Sequence, residues 1–277
     1  MSAVRQPAVA GSFYPADARE VKRAVAGYLE TARKMDGDAV PKALVAPHAG
    51  YIYSGPIAGS AYVHLLPARS TITRVVLLGP AHRFPVVGLA LPSVDAFRTP
   101  LGDVPLDADA CAALARLPQV QVSNAAHALE HSLEVHLPFL QETLDAFSLV
   151  PLVVGSATPE QVAEVLESLW GGPETLVVVS SDLSHYEPYE VARKLDAAVS
   201  RAIEDLDPDR IDHHQACGFY PLRGLLVVAR RKGLRVHTVD LRNSGDTAGP
   251  RTEVVGYGAY LFFSPEGHEN SRAHPQA

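Results

Sequence analysis

Polar side chains that could bind a metal or move a proton follow four predicted strands, at the point where each strand ends. The apolar run ALVAP is followed by His48, and the run VVLLGPA is followed by His82. The run LVVVSS is followed by Asp182, with His185 three residues later, and LRVHTVDLRNSG leads to Asp246. Because ligands of open α/β sheets bind at the carboxyl ends of the strands, we expect these five side chains along one edge of a sheet.

Two imidazoles and one carboxylate are the ligand set typical of non-haem Fe(II) sites, since they leave coordination positions open for substrate and O₂. His48, His82 and Asp246 are therefore candidate metal ligands. Each residue also has an ordinary structural explanation. A histidine at a strand end is frequently a hydrogen-bonded residue of the framework, Asp182 suits a helix N-cap, and Asp246 lies in the turn-forming run NSGDTAG.

A second pattern, HALEH at residues 127–131, matches the H-x-x-E-H motif of inverted zinc peptidases. On a helix, His127 and His131 would share a face, with Glu130 as a base and Glu190 or Glu204 as a third ligand. The preceding run VQVSNAAHALE gives no firm helix start. The alternative is a loop followed by the helix SLEVHLPFLQETL, whose leucines pack inward.

Other candidates lie outside these two patterns. Cys217, in QACGFYPL, is a candidate nucleophile or redox thiol, although a buried and inert cysteine explains it more simply. His213 and His214 suit a solvated helix end. Phe13 and Tyr53 are candidates to line a substrate pocket, although aromatic residues near glycine and proline frequently pack in turns.

Strand-like and helix-like segments alternate along the chain, which predicts an α/β fold with a central mixed, largely parallel sheet covered by helices on both faces. We expect one domain over residues 1–265 and a flexible C-terminal tail over 266–277, because the tail lacks apolar anchors. The predicted strands are KALVAP, RVVLLGP, FSLVPLVVG, TLVVVSSD, LRVHTVD and VVGYGAYLFF. The predicted helices are GPIAGSAYVHLL, DADACAALARL, SLEVHLPFLQETL, PEQVAEVLESLW, PYEVARKLDAAVSRAIEDL and YPLRGLLVVARRKG.

Charge and composition narrow the class of protein. The net charge of −7 and the scattered arginines and lysines argue against a nucleic-acid partner. We find no signal-peptide pattern and no window that approaches a membrane span, so no membrane partner is expected. The two cysteines, Cys111 and Cys217, form no framework and suit reduced thiols, which predicts a cytoplasmic protein.

Seven segments together resemble the Memo family, also called AmmeMemoRadiSam system protein B, in family order over nearly the whole chain. They are AVAGSFYP, APHAGYIYSG, LLGPAHR, EHSLEVHLPFL, SSDLSHY, ACGFYPL and VVGYGAYLF. The resemblance implies a single three-layer α/β/α domain like that of the class III, LigB-type extradiol dioxygenases. It also implies that His48 and His82 bind a metal and that Asp182 and His185 line the same pocket. Asp246 stands where animal members have a cysteine, and its harder carboxylate favours Fe(II) over Cu(I).

The resulting hypothesis is a metal-dependent oxidoreductase or dioxygenase-like enzyme that binds Fe(II), with Cu or Zn as alternatives, and acts on a small oxidisable substrate. His185 and Asp182 would act as acid and base, while Glu130 and His131 would contact substrate together with the aromatic residues named above. The alternative is a non-catalytic protein that binds a metal or a peptide in a dioxygenase-like pocket. The resemblance further implies association with AMMECR-type and radical SAM proteins.

Overall fold

The structure, a computed structural model, describes residues 3–37 and 39–265. Most of its strands belong to one central sheet, and three short strands form a small separate one. The strands are β1 (Val4–Arg5), β2 (Ala43–Ala46), β3 (Arg74–Pro80), β4 (Leu89–Leu91), β5 (Ala96–Thr99), β6 (Gly102–Pro105), β7 (Val120–Val122), β8 (Ser148–Val154), β9 (Thr175–Ser180), β10 (His185–Glu187), β11 (Arg235–Asn243) and β12 (Val254–Phe263).

The central sheet has the order β10-β12-β2-β9-β3-β8-β4-β7, and β11 pairs with β12 beside that path. Its middle strands β2, β9, β3 and β8 are parallel, whereas β12 joins β2 in antiparallel fashion. The carboxyl ends of β2, β3 and β9 therefore meet at the same edge of the sheet. The small sheet has the order β1-β5-β6.

Helices alternate with the strands along the chain. They are α1 (Ala18–Glu30), α2 (Tyr51–Tyr62), α3 (Ala108–Leu114), α4 (Asn124–Ala128), α5 (Leu137–Thr143), α6 (Pro159–Ser168), α7 (Tyr189–Glu204) and α8 (Phe219–Lys232). Capping residues close in sequence define where several of these helices begin or end. Asp17 caps α1 by accepting from two backbone N–H groups, and Thr158 with Gln161 forms a capping box at α6. Gly233, with φ +66°, ends α8 in the left-handed conformation that glycine adopts without strain.

Both faces of the central sheet are covered, which gives three layers. In β2, Leu44 and Ala46 pack into the core formed with α1, α2 and α5, whereas Ala43 and Val45 pack into the core formed with α6, α7 and α8. Successive side chains of a strand point to opposite faces, so a strand covered on both sides is apolar at every position. The predicted α/β fold with a mixed, helix-covered sheet is thus confirmed.

The six predicted strands all occur, and the structure adds β1, β4, β5, β6, β7, β10 and the helices α1 and α4 to the expected elements. The predicted helix SLEVHLPFLQETL is shorter than expected. A 3₁₀ turn at Glu134–His136 precedes α5, and Pro138 lies at the first turn of that helix, where a missing N–H costs nothing. The predicted tail at 266–277 lies outside the described residues. Among the described residues, no helix is both long and apolar enough to cross a bilayer.

A buried carboxylate, Glu134, attaches the N-terminal segment to the edge of the sheet that carries the histidines. It accepts hydrogen bonds from Arg5 Nη1 at 2.7 Å, from the Tyr14 hydroxyl at 2.7 Å, and from the backbone N–H groups of Ala8 and Val9. The Glu134 side chain is 0% exposed, so its charge depends entirely on these donors. The segment around residues 5–14 is therefore held against the 3₁₀ turn by one ion pair and its hydrogen bonds.

We expect Glu134→Ala to lower the free energy of unfolding by about 3–5 kcal/mol, because it leaves the Arg5 guanidinium buried without its anion. Urea denaturation followed by circular dichroism measures the change. Asp103→Ala is the matched control, since it breaks an exposed ion pair with Arg98 and should leave the unfolding midpoint nearly unchanged. Equal effects of the two variants would show that Glu134 is not a structural anchor.

Candidate metal centre

Three histidines from separate segments converge at the edge of the central sheet. His48 follows β2, His82 follows β3, and His131 lies between α4 and the 3₁₀ turn. One potential ligand atom of each lies within 4.8 Å of the others. The ring centroids are 5.1 Å apart for His48 and His82, 5.5 Å for His48 and His131, and 4.8 Å for His82 and His131. These separations suit three imidazoles around one ion.

The tautomer of His48 follows from the hydrogen bonds of Ser180, at the end of β9. A serine hydroxyl has one proton, and Ser180 Oγ donates it to the carbonyl oxygen of Ser132 at 2.6 Å. Its contacts with His48 Nδ1 at 2.5 Å and His136 Nε2 at 2.8 Å must then be bonds that it accepts. His48 therefore carries its proton on Nδ1 and presents the lone pair of Nε2. By the same reasoning, His136 Nδ1 accepts from the Tyr62 hydroxyl at 2.8 Å.

Glu130 orients the ring of His82, as Ser180 orients that of His48. Its carboxylate accepts from His82 Nδ1 at 2.9 Å and from the His82 backbone N–H at 2.6 Å, as well as from the backbone N–H groups of His131 and Ser132. Burial alone would raise the pKa of Glu130, but the hydrogen bond and charge of His82 outweigh it, with the backbone donors, and hold the pKa at about 2. Glu130 thus stays ionised and accepts from Nδ1 of His82, which leaves Nε2 as the ring nitrogen that binds an ion when the imidazole is neutral.

Burial also keeps two of the imidazoles uncharged. It lowers the pKa of His48 well below the ordinary 6.5, and nearby histidines lower it further. The pKa of His131 falls to about 4, again chiefly through burial, although the charge of Glu130 opposes the shift. Only the neutral imidazole has a lone pair to give to a metal, so these two rings are ready to bind an ion at neutral pH.

The side chain of Asp182 contacts the backbone of His48. Its Oδ1 accepts the His48 backbone N–H at 2.8 Å, and burial raises its pKa to about 6 despite that bond and the charges of His185 and His82. His185 is exposed on β10. The next residue, Tyr186, has φ +58°, a left-handed conformation that bulky side chains rarely adopt. The two predicted acid–base residues are thus neighbours, one buried and one at the surface.

The structure does not bring Asp246 into the cluster with His48 and His82. Asp246 lies in a 3₁₀ turn after β11, where Oδ1 accepts from the Tyr189 hydroxyl at 2.5 Å and Oδ2 accepts from a backbone N–H of the same turn. The third member of the cluster is His131, which was expected to contact substrate. It lies on a loop, so the search for side chains at strand ends does not find it.

The residues predicted to contact substrate occupy different environments. The Phe13 ring lies 4.8 Å from the His131 ring and forms one wall of the cluster. Tyr53 is half-buried in α2, one turn after Gly50. Glu130 has both carboxylate oxygens engaged by the donors described above, so it supports the histidines from behind. The sequence indicated Glu130 and His131 in two ways, through the HALEH pattern and through their place in the EHSLEVHLPFL segment.

His127 and His131 do not share a helix face, contrary to the zinc-peptidase hypothesis. Helix α4 ends at Ala128, and His127 Nε2 contacts the carbonyl oxygen of Ala90 at 2.8 Å, away from the three-histidine cluster. The two proposed third ligands are also engaged elsewhere, since Glu190 contacts Arg193 and Glu204 accepts from a threonine hydroxyl. The HALEH pattern is therefore divided between a structural histidine and a member of the cluster.

Cys217 borders the cluster and is a protonated thiol. Its Sγ lies 3.4 Å from His48 Nε2 and 3.1 Å from the backbone N of Asp182, which donates to it. Burial raises the pKa of the thiol, with the charge of Asp182 acting in the same direction, so it is a poor nucleophile. Gly218 permits this approach, because a Cβ there would lie 2.5 Å from the carbonyl oxygen of Ser180.

The chain is similar to known proteins over most of its length. The family described as Memo-like protein matches residues 5–261. The MEMO1 family protein of Ignicoccus hospitalis is 37% identical and the alignment covers 95% of this chain and 99% of that protein. The MEMO1 family protein of Archaeoglobus fulgidus is also 37% identical, with coverage of 94% and 99%. The crystal structure of uncharacterized protein JW3007 from Escherichia coli K12 has a TM-score of 0.52 at 15% identity, covering 79% of this chain and 98% of that one, a likeness of fold alone.

We expect Ser180→Ala to weaken Zn²⁺ binding by roughly 10–100-fold, because the Nδ1–H of His48 loses its acceptor and the ring is no longer held in one orientation. Isothermal titration with Zn²⁺ measures the affinity without redox chemistry. Tyr62→Phe is the graded control, since it removes the far hydroxyl of the same chain of hydrogen bonds and should have a smaller effect. An affinity for Ser180→Ala equal to that of the unmodified protein would contradict this account of His48.

Proposed function

The chain belongs to the Memo-like protein family, and from this premise we propose that it is a non-haem metal-dependent oxidoreductase with dioxygenase-like chemistry. Its substrate would be a small oxidisable molecule, and its cofactor a divalent ion held by His48, His82 and His131. The observation that carries the proposal is the convergence of three histidines, of which His48 and His82 have Nδ1 engaged in hydrogen bonds. Nε2 of each ring is then the atom that would bind the ion, and at His48 the ion would replace a weak contact with the Cys217 thiol at 3.4 Å.

The donor set suits a redox-active ion. Imidazole nitrogen binds Fe, Cu and Zn, and three protein ligands leave positions for substrate and a second reactant, whereas structural zinc sites are closed by four protein ligands. We propose Fe(II), with Cu and Zn as the alternatives that a binding experiment must separate. When bound, the ion supplies electron-transfer chemistry that the side chains lack. The alternative set, with Asp246 in place of His131, is the two-histidine, one-carboxylate arrangement that suits Fe(II).

The side chains around the histidines supply the proton chemistry in this proposal. Asp182, with a pKa of about 6, can release or hold a proton within the range in which most enzymes work. His185 is exposed nearby and is assigned the exchange of that proton with solvent or substrate. Phe13, whose ring is tilted against that of His131 at 4.8 Å, provides an apolar wall for the substrate. Asp182 also binds the His48 backbone, so it couples the proton to the position of a metal ligand.

The alternative function is a non-catalytic protein that binds a metal or a peptide. It is favoured by one observation, namely that Asp182 accepts hydrogen bonds from the backbone N–H groups of His48 and Ala49 and so has a structural role that needs no turnover. The resemblance to AmmeMemoRadiSam system protein B adds a proposal about partners, an AMMECR-type domain and a radical SAM protein. A cytoplasmic location is part of the same proposal.

We expect Fe(II)-dependent oxygen uptake when the full chain is mixed with a panel of catechols under air, measured with an oxygen electrode. His48→Ala and His82→Ala should reduce the rate at least 100-fold, because each removes a ligand of the ion. His237→Ala is the matched control, as it changes an exposed histidine on β11. Tight Fe(II) binding without uptake for any member of the panel would overturn the enzyme proposal and favour the binding protein.

The pH dependence of the same uptake tests the assignment of Asp182 as a base. We expect the rate to rise with pH through about 6, as the Asp182 carboxyl loses its proton. Asp182→Asn should lower the rate and remove that rise, while its amide oxygen still accepts the His48 backbone N–H. If Asp182→Asn keeps the same pH profile, another group is the base.

A further inference from the structure

A second group of potential metal ligands lies outside the three-histidine cluster, in the turn before α8. Asp212, His213 and His214 are all exposed, and one ligand atom of each lies within 4.8 Å of the others. None of the three takes part in the function proposed above. The sequence pattern alone marked the two histidines only as a solvated helix end.

The backbone of this turn is held in place on both sides. The backbone N–H of Asp212 donates to Gln215 Oε1 at 2.8 Å, and the backbone N–H of His214 donates to Asp212 Oδ1 at 2.8 Å. The Gln215 backbone N–H donates to the Asp212 carbonyl oxygen at 3.0 Å. These bonds place the three side chains on one turn before any ligand arrives, which reduces the ordering entropy that binding must offset.

The side chains themselves are close together. The rings of His213 and His214 lie 3.8 Å apart with a tilt of 41°, and His213 Nδ1 lies 3.2 Å from Asp212 Oδ1. The Phe219 ring meets His213 edge-on at 6.2 Å and limits its movement on one side. The hydrogen bond from His214 lowers the pKa of Asp212, so the carboxylate is an anion. Two nitrogen donors and one negative oxygen donor are thus gathered at the surface.

We propose that Asp212, His213 and His214 form a second metal site, which binds a borderline divalent ion such as Zn²⁺ or Cu²⁺. Imidazole and carboxylate are ligands for such ions, whose bonds to nitrogen and oxygen are about 2.0–2.2 Å long. Ligand atoms on a common tetrahedral ion are then roughly 3.4 Å apart. The three side chains are exposed, so small rotamer changes can bring atoms that lie within 4.8 Å to that separation.

The position of this outer site gives it a structural link to the inner one. The segment that follows it continues from Gln215 to Cys217, whose Sγ contacts His48 Nε2. The Cys217 backbone N–H donates to the Asp182 carbonyl oxygen, so the segment is fixed to the inner site at that residue. An ion on Asp212, His213 and His214 is therefore held by the same short segment that borders the three-histidine cluster.

Titration of the untagged full chain with Zn²⁺ tests the proposal by stoichiometry. We expect two equivalents to bind the unmodified protein and one to bind His213→Ala/His214→Ala, whose changes lie on an exposed turn that folding tolerates. His237→Ala is the matched control and should keep both equivalents. An unchanged stoichiometry and affinity in His213→Ala/His214→Ala would overturn the outer site.

A variant that lacks two of the inner histidines tests the outer site independently of the proposed function. In His48→Ala/His82→Ala, one equivalent should remain, and adding the two changes at 213 and 214 should weaken it at least tenfold. Loss of all Zn²⁺ binding in a folded His48→Ala/His82→Ala protein would also contradict the outer site. Failure of the inner site would instead appear as an undiminished stoichiometry in that background.

Discussion

The geometry of the candidate metal centre depends on the single proton of Ser180. Because that proton goes to the Ser132 carbonyl oxygen, two buried imidazoles must donate to the same oxygen atom, and the tautomer of His48 is fixed. Glu130 imposes the same condition on His82 through a carboxylate that cannot donate at all. In both histidines, Nε2 is then the nitrogen that can bind an ion. Neither arrangement requires a bound ion, so the site is preorganised by hydrogen bonds alone.

Burial reinforces this arrangement. The cost of placing a charged imidazole at the carboxyl edge of the sheet keeps His48 and His131 neutral, and neutrality is the condition for metal binding. The same burial raises the pKa of Asp182 and of Cys217, so the nearby acid and thiol hold their protons more strongly than exposed groups would. Burial of the side chains and the fixed hydrogen bonds thus favour the same neutral state of the histidines. The site combines neutral ligands, one carboxyl that titrates near pH 6 and an unreactive thiol.

Local sequence patterns predicted the layers of the fold and the positions of His48 and His82, because buried parallel strands are apolar at every residue and their carboxyl ends meet. The third histidine was not predictable in this way. His131 reaches the cluster from a loop that Glu130 holds through contacts 48 residues away in the chain, which no spacing rule encodes. For Asp246, the local pattern was right about the strand but did not show what the side chain contacts. It follows a strand as expected, yet Tyr189 on a distant helix engages its side chain.

Anaerobic titration with Fe(II) shows whether His131 completes the site with His48 and His82. Binding is followed for the unmodified protein, for His131→Ala and for Asp246→Ala, with circular dichroism to confirm that each is folded. We expect His131→Ala to weaken Fe(II) binding at least tenfold, whereas Asp246→Ala should bind within about threefold of the unmodified protein. Full affinity in His131→Ala together with loss of binding in Asp246→Ala would contradict it and restore the carboxylate as the third ligand.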